Sequence, residues 1–379
     1  MSAYRIPRRT LGKTGLEVSV LGLGGFHQVE IGQDLVTAIV DRYLAADGNY
    51  VEVARGYGHG AAERKLGRAL EGRREQVVLV SKTAQREAEG AWRELNESLE
   101  ALRTDHLDLL LYHCLTDVDD VETIAGPGGA GEAMARAREE GLVRFAGASV
   151  HWPMVLIPAM EQLELDAVMY WVNYLVTCNY PELYTVIAPA VRKKGLGIIG
   201  MKPVGDGYLH RSVGPAFTYA LAREVDVLAC GFNSLEMLEA DLEAVCNWQR
   251  PSEEELAQIL ADAPELGDYI CRQCGKCRME DLDLPKVFEL EGKFDRQMFD
   301  GRPTTAPDYA LRMRLRFWFN NQARAIELYK PYANAVAEAL DTGRELPPCP
   351  YGIDLDRKLL LAHRKLTSDG HYPSGNEDF

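Results

Sequence analysis

The chain has 379 residues, 46% hydrophobic and 26% charged, which excludes a disordered chain, a collagen and a coiled coil. Its 57 acidic and 42 basic residues leave a net charge of −15 at pH 7, so it has no general attraction for nucleic acid or an anionic membrane. No run of 18 apolar residues offers a bilayer span.

The opening MSAYRIPRRTLGKTG contains Arg8-Arg9, but no apolar stretch of signal-peptide length follows, so a cytoplasmic protein is expected. Short apolar runs then alternate with amphipathic stretches. Strands are predicted at Glu17–Leu23, Tyr50–Ala54, Val77–Lys82, Leu107–His113, Val143–Ser149, Ala167–Asn173, Leu196–Lys202 and Asp226–Gly231. The intervening helices are predicted at Leu35–Ala46, Ala61–Leu70, Gly90–Leu102, Gly131–Glu140, Pro153–Gln162, Pro181–Lys194, Ser212–Glu224 and Leu235–Asn247. Near-continuous apolar strands joined by helices mean a parallel sheet covered on both faces. Eight such units in about 230 residues predict a closed (β/α)8 barrel of the α/β class.

The rhythm stops after Arg250-Pro251. Ser252 followed by three glutamates predicts a capped helix to Ala263. Further helices are expected at Leu284–Phe299, Tyr309–Leu340 and Leu355–Leu366, with a polar, loosely held tail from Thr367. The expected organisation is a barrel over residues 1–250 and a mainly helical domain over 251–379.

Catalytic groups of a parallel barrel sit at the C-terminal strand ends and in the loops after them. The second predicted strand carries Glu52, with Tyr57 in the next loop. The third ends at Lys82 and the fourth at His113. The fifth ends at Gly147-Ala148-Ser149, the sixth at Asn173 and the seventh at Lys202-Pro203. A lysine beside Tyr57 would lower its pKa, and a tyrosine so tuned protonates a developing alkoxide. Glu52 would hold the Lys82 ammonium, and His113 would orient a carbonyl oxygen. The set is a proton-donor site for carbonyl reduction that needs a hydride source.

Several segments carry a family resemblance. RTLGKTGLEVSVLGLGG (Arg9–Gly25) resembles the opening of aldo-keto reductases, and EVARGYGHGAAERKLGRAL (Glu52–Leu70) resembles their catalytic-tyrosine segment. VLVSK, LDLLLYH and GASVH match the next three strand ends. The resemblance covers about residues 5–248. It implies a TIM barrel, a nicotinamide cofactor (NAD or NADP) held without a Rossmann domain, and a tetrad of Glu52, Tyr57, Lys82 and His113. It implies cofactor contacts from Gly24, Ser149, Asn173 and Lys202. The substrate class implied is an aldehyde, ketone or alcohol, sugars included.

The chain departs from the family pattern in three places. Glu52 stands where an aspartate is usual, and its extra methylene shifts the charge by roughly 1.5 Å. Met169 occupies the place of a common glutamine. Cys230–Asp241 (CGFNSLEMLEAD) has three acids and no basic residue, although a 2′-phosphate needs a cationic partner. Gly231, Asn233 and Ser234 still offer backbone and hydroxyl donors to a phosphate.

Cysteines supply the second motif. Cys271-x2-Cys274-x2-Cys277 has iron–sulfur spacing, and Cys349-Pro350 supplies a Cys-Pro of ferredoxin type. Zinc usually takes two Cys-x2-Cys pairs or histidines, and no histidine lies between Gly267 and Gly352. The region is similar to the ferredoxin-like tail of an aldo-keto reductase subgroup, where the fourth cysteine follows closely. Here Cys349 lies 71 residues beyond Cys277 (278 to 348). A 4Fe–4S cluster on Cys271, Cys274, Cys277 and Cys349 is expected, with zinc and free thiols as the alternatives. Cys114, Cys178, Cys230 and Cys246 read as buried apolar residues. Such a cluster is either a structural staple or an acceptor from a ferredoxin-type partner. Arg312, Arg314 and Arg316 read as a solvated helix face with Leu311, Leu315 and Trp318 inward, against a minority reading as a docking patch. Two other functions fit the sequence. One is a redox-partner subunit with a vestigial tetrad. The other is a sugar epimerase or lyase that keeps its nicotinamide and makes no net redox change.

Overall fold

Five of the eight barrel strands are buried from end to end, as the inner layer of a barrel requires. A computed structural model describes residues 4–317 and 321–368. We number the barrel strands β1 (Leu21–Gly24), β2 (Tyr50–Glu52), β3 (Val78–Thr83), β4 (Leu107–Leu115), β5 (Val143–Val150), β6 (Ala167–Trp171), β7 (Gly197–Met201) and β8 (Val227–Gly231). Each pairs in parallel with the next, and β8 pairs with β1 to close the ring. Gly24 stands opposite Glu52, Glu52 opposite Val80, and Lys82 opposite Leu111. That register brings the C-terminal ends of β1 to β4 to one rim. Between Tyr112 and Leu115 the β4–β5 register slips, at His113 and Cys114.

The expected strand Glu17–Leu23 is two strands. Arg8–Thr10 and Glu17–Ser19 form an antiparallel hairpin, and β1 begins only at Leu21. The hairpin turn seats against the start of β7. A Cβ on Gly12 would lie 2.2 Å from the Gly197 nitrogen, and Gly12 has φ +48°. Glycine alone fits that approach.

Other boundaries moved where capping or proline chemistry prevails. The connection after β4 holds two helices, Val118–Ala125 and Ala130–Glu139, the first capped by Asp117. The expected helix Pro181–Lys194 becomes an irregular turn, Leu183–Ile187, leading into Ala188–Lys193. Tyr309–Leu340 divides into Ala306–Phe317, Gln322–Tyr329 and Ala333–Asp341. Asn321 caps the second of these, and Pro331 stands before the third. The helix from Leu284 stops at Asp295 because Arg296 turns left-handed. Leu355–Leu366 is as expected. Trp318 and the tail beyond Ser368 lie outside the described residues.

The chain forms two compact units. The first is Met1–Val172 with Val186–Pro203 and Ala220–Arg250. The second collects Asn173–Thr185, Val204–Tyr219 and the chain from Pro251 onward. The segments after β6 and β7 thus belong with the C-terminal region. The second unit's core is built on Leu284–Asp295, which is buried on every side. That helix carries charges into the core. Glu291 receives Lys358 at 2.7 Å and Lys365 at 2.6 Å, and Lys365 reaches Asp295 at 2.9 Å. Buried charges persist only when paired in this way.

In the first unit the Tyr43 hydroxyl organises the entry to β1 and β2. It lies 2.8 Å from the Leu21 carbonyl, 3.0 Å from the Tyr50 carbonyl and 2.8 Å from the Ser19 hydroxyl. It accepts the Tyr50 N–H at 3.1 Å. Tyr43→Phe leaves these buried groups short of a partner and costs about 1–3 kcal/mol. Urea denaturation measures it, and an unchanged midpoint would contradict the hub role.

Candidate active site

Glu52 and Lys82 are the buried floor of the rim, 3% and 2% exposed. The Lys82 ammonium has three donors and finds three partners. It pairs with the Glu52 carboxylate, donates to the Val53 carbonyl at 3.0 Å and donates to the Tyr57 hydroxyl at 3.1 Å. Because the Tyr57 oxygen accepts from Lys82, its own O–H is directed elsewhere. The Tyr57 ring stands edge-on to His113, with centroids 5.7 Å apart, and edge-on to Phe26 at 5.2 Å. The structure therefore brings together the four residues predicted for proton transfer.

The Tyr57 loop is pinned to β3 on both sides of Lys82. Arg55 N–H donates to the Lys82 carbonyl at 3.2 Å. The Arg55 side chain binds Glu97 at 2.9 Å and Glu63 at 3.2 Å, and fully buried Glu63 accepts the Ser81 hydroxyl at 2.8 Å. Gly58, His59 and Gly60 follow Tyr57 in left-handed conformation, His59 at φ 50°. A non-glycine residue held there stores strain, which collects at functional sites.

The end of β4 is shaped similarly. Cys114 has φ 53°. Its N–H donates to the Ser149 hydroxyl at 2.8 Å. Arg86 donates to the carbonyls of His113 and Cys114 at 3.1 and 3.0 Å and is itself held by Asp120. Ser149 thus braces the strand end that presents His113.

Electrostatics correct one expectation. Burial raises the Tyr57 phenol above its ordinary value, with Cys114 adding to it. The depression expected from the Lys82 ammonium is outweighed by burial. Burial also pushes Lys82 well down, helped by the charge of Lys202. Tyr57 consequently holds its proton, as a donor must. His113 is pushed down to about 3, first by burial and then by Lys82 and Arg86, so it is a neutral imidazole at pH 7.

The candidate cofactor residues spread more widely. Gly24 and Gly231 face each other where β1 meets β8. A Cβ on Gly24 would sit 3.0 Å from the Cys230 carbonyl oxygen, and one on Gly231 would strike the His27 ring at 2.3 Å. The Ser234 hydroxyl accepts the Met237 N–H at 3.2 Å and caps Leu235–Cys246. The Asn233 amide lies 3.5 Å from Glu30. Arg42 binds Glu239 on that helix at 2.9 Å. Lys202 follows β7 at φ 57°, with its ammonium 5.3 Å from the Trp171 ring centroid. Trp171 donates to His151 at 3.2 Å. Asn173 belongs to the second unit, where its side-chain oxygen caps Tyr174–Asn179 through the Val176 N–H. Met169 is buried within β6. Sequence reasoning missed Phe26, Arg86 and Trp171. Trp171 alone had a readable cue, its place at a strand's C-terminal end.

In the second unit Cys271 and Cys277 are buried in the helical core, with Cys349 packed against it and Cys274 exposed. The Gln273 N–H points at the Cys271 sulfur at 3.4 Å. Gln273 and Gly275 are left-handed, at φ 56° and 72°. Burial pushes Cys271 up to about 12 and Cys277 up to about 11. Cys274 raises both, Cys277 raises Cys271, and Cys349 raises Cys277. Among the described residues no three His, Cys, Asp or Glu side chains are grouped to hold a metal ion as they stand. Arg272 is buried beside this loop and stacks on Tyr351 at 5.1 Å. Its hydrogen bonds go to backbone carbonyls, the shortest to Ile270 at 2.7 Å. The groups that favour its charge are Cys178, Cys349, Tyr351 and Cys271.

The arginines of Ala306–Phe317 are engaged within the same unit. Arg312 meets Asp300 at 3.1 Å, Arg314 meets Asp206 at 2.8 Å and Arg316 meets Asp295 at 3.8 Å. Leu315 is buried as expected, but so is Arg316, and Leu311 is half-buried. The stripe is therefore only partly solvated: Arg314 is exposed, Arg312 half-buried and Arg316 buried. No helix among the described residues is long and apolar enough to cross a membrane.

His113 gives a pH test. In the unfolded chain it titrates near 6.5, and in the folded chain at about 3. Between those values the unfolded state binds more protons, so this residue removes stability as pH falls below about 6.5 and is neutral above it. His113→Asn should therefore lose less stability between pH 7 and pH 5 than the unsubstituted protein. Urea denaturation at both pH values measures this, and equal losses would refute the assignment.

The sequence profile of the Aldo/keto reductase family matches residues 20–258. The chain is 26% identical over 215 residues to the uncharacterized oxidoreductase YqkF of Bacillus subtilis (strain 168), covering 53% of this chain and 66% of that protein. It is 26% identical over 223 residues to L-galactose dehydrogenase of Arabidopsis thaliana, covering 54% and 67%. Each match spans about two thirds of the relative's own length. Among solved structures, the aldo-keto reductase AKR11C1 from Bacillus halodurans (holo form) superposes with a TM-score of 0.60 at 24% identity, covering 68% of this chain and 96% of that one. The profile match extends over more than half of the chain, and the chain belongs to the aldo/keto reductase family.

Proposed function

We propose that the protein transfers hydride between a nicotinamide dinucleotide and an aldehyde or ketone, or the reverse from an alcohol. The observation that carries this reading is the Lys82 ammonium bonded at once to Glu52 and to the Tyr57 oxygen. A bound nicotinamide supplies the hydride. The Tyr57 O–H gives its proton to the carbonyl oxygen as negative charge develops there. Lys82 stabilises the resulting phenolate across 3.1 Å, and Glu52 keeps Lys82 in place. Neutral His113 donates an N–H to the same carbonyl oxygen and fixes its position.

Gly24, Ser149, Asn173, Lys202, Gly231, Asn233 and Ser234 are the proposed cofactor residues. The β8 segment supports binding through backbone donors at the start of Leu235–Cys246, because the Ser234 hydroxyl already serves as its cap. No lysine or arginine lies in Cys230–Asp241, so we propose that the enzyme accepts NAD as well as NADP. The L-galactose dehydrogenase relative makes sugars the first substrates to screen.

We also propose that Cys271, Cys274, Cys277 and Cys349 hold a 4Fe–4S cluster. The donor chemistry fits: Cys277 is influenced by Cys274 and Cys349, Cys271 by Cys274 and Cys277, an N–H faces the Cys271 sulfur, and the Arg272 guanidinium stands beside them. Four thiolates are the usual ligands of such a cluster. A bound cluster supplies one-electron chemistry or a covalent staple.

Tyr57→Phe should lower kcat by about 10²- to 10⁴-fold with nicotinamide binding retained, read by turnover and by fluorescence titration with NADH and NADPH. Unchanged turnover would remove Tyr57 from the chemistry. For the cysteines, anaerobically purified protein should contain iron and sulfide and show a broad visible band. Cys277→Ala should abolish the band, and a metal-free spectrum would refute the cluster.

A further inference from the structure

Helix Leu284–Asp295 ends in an unusual way. Arg296 and Gln297 are both left-handed, at φ 55° and 59°, although neither is glycine. Two consecutive such residues are disfavoured unless the surroundings hold them there. Arg296 N–H bonds the Gly292 carbonyl at 2.7 Å, and its side chain bonds the Leu315 carbonyl at 3.1 Å. The Gln297 N–H bonds Asp295 at 3.0 Å.

The result is the placement of one buried amide. Gln297 is 1% exposed. Its side-chain oxygen accepts the Cys271 N–H at 2.8 Å. Its side-chain nitrogen donates to the Cys178 carbonyl at 3.2 Å and to the Asn179 side-chain oxygen at 2.8 Å. A backbone N–H can only donate and a carbonyl can only accept, so the amide has one workable orientation.

Cys178 and Asn179 end the helix Tyr174–Asn179, which Asn173 caps. This helix lies tightly on Leu284–Asp295. A Cβ on Gly292 would be 2.4 Å from the Asn179 side-chain oxygen, and Lys293 binds Glu182 at 2.9 Å. The segment directly follows β6, a position at which parallel barrels carry active-site groups. A single side chain therefore joins the first cysteine of the triplet to the end of the first helix of that segment.

We propose that Gln297 is a positioning residue that couples the loading of the cysteine loop to the order of Asn173–Thr185. The inference rests on the reading of that loop as the cluster site. Ligation fixes the Cys271 backbone, the Cys271 N–H fixes the Gln297 amide, and that amide fixes Cys178 and Asn179.

Hydrogen exchange on the full chain tests this, with residues 174–180 followed in cluster-loaded and chelator-stripped protein. Iron and sulfide are assayed in each sample. In the unsubstituted protein, stripping should speed exchange in this peptide about 5- to 10-fold, the range of ordinary site-to-site coupling. In Gln297→Leu the peptide should exchange fast in both states. Gln297→Glu keeps the acceptor for Cys271 and loses the donor. It should retain the visible band of the loaded protein while exchanging as fast as Gln297→Leu, a split that loss of folding alone cannot produce. Equal exchange in loaded and stripped unsubstituted protein would overturn the coupling. So would an unchanged loaded-to-stripped ratio in both variants. A full chain that takes up no iron or sulfide would overturn the cluster reading, and this inference with it. That outcome is told apart by the metal assay.

Discussion

The site is organised around a charge that has been taken out of water. Moving an ammonium into the barrel is costly, and the cost is recovered only by a counter-charge and a full set of acceptors. Lys82 has both: Glu52 as the counter-charge, with the Val53 carbonyl and the Tyr57 oxygen as the other acceptors. Glu52 stands opposite Val80 on the neighbouring strand, and Lys82 is two residues farther along the same face. The ion pair is therefore a diagonal pair across adjacent strands, fixed by register rather than by loop conformation. The Glu52 side chain reaches the ammonium directly. Tyr57 completes the acceptor set, so its oxygen is located by the same constraint that makes Lys82 tolerable in the interior.

Much of this was readable in the sequence, because parallel strands buried on both faces must be apolar throughout. The ionisable residues that interrupt those runs at Glu52, Lys82 and His113 stand out against them. What could not be read depends on partners far apart in the chain. The Arg55–Glu63–Ser81 brace and the bond from Cys114 to Ser149 have no local periodicity. The acidity of Tyr57 was misjudged for a related reason. A neighbouring lysine favours the phenolate, but the burial of Tyr57 favours the neutral phenol more. In the C-terminal region the long helix expected over Tyr309–Leu340 has suitable composition, but Asn321 and Pro331 supply punctuation that averaging over a long window hides.

The second unit follows a different logic from the barrel. Its central helix brings glutamate and aspartate into the core and meets them with lysines from Leu355–Leu366. Its cysteine loop lies beside a guanidinium whose hydrogen-bond acceptors among the described residues are backbone carbonyls. A cation in that position is stabilised by negative sulfur, which metal ligation supplies and neutral thiols do not. The unit also takes in Asn173–Thr185 and Val204–Tyr219. Buried Glu265 helps to hold both of these segments, receiving Tyr174 at 3.0 Å and Ser212 at 3.0 Å.

The glycine seam between β1 and β8 bears on assembly. Neighbouring barrel strands are otherwise consecutive in the chain, but Gly24 and Gly231 are roughly 200 residues apart. Their pairing closes the longest loop in the barrel and carries its largest chain-entropy cost. Every residue of the proposed proton-donating set lies on the early half of the ring, whereas the segment proposed for the dinucleotide phosphates arrives with the last strand. A nascent chain that ends before Val227 holds all four proton-handling side chains but leaves β1 with an unpaired edge. The apparatus for moving a proton is thus synthesised well ahead of the strand that closes the barrel around it.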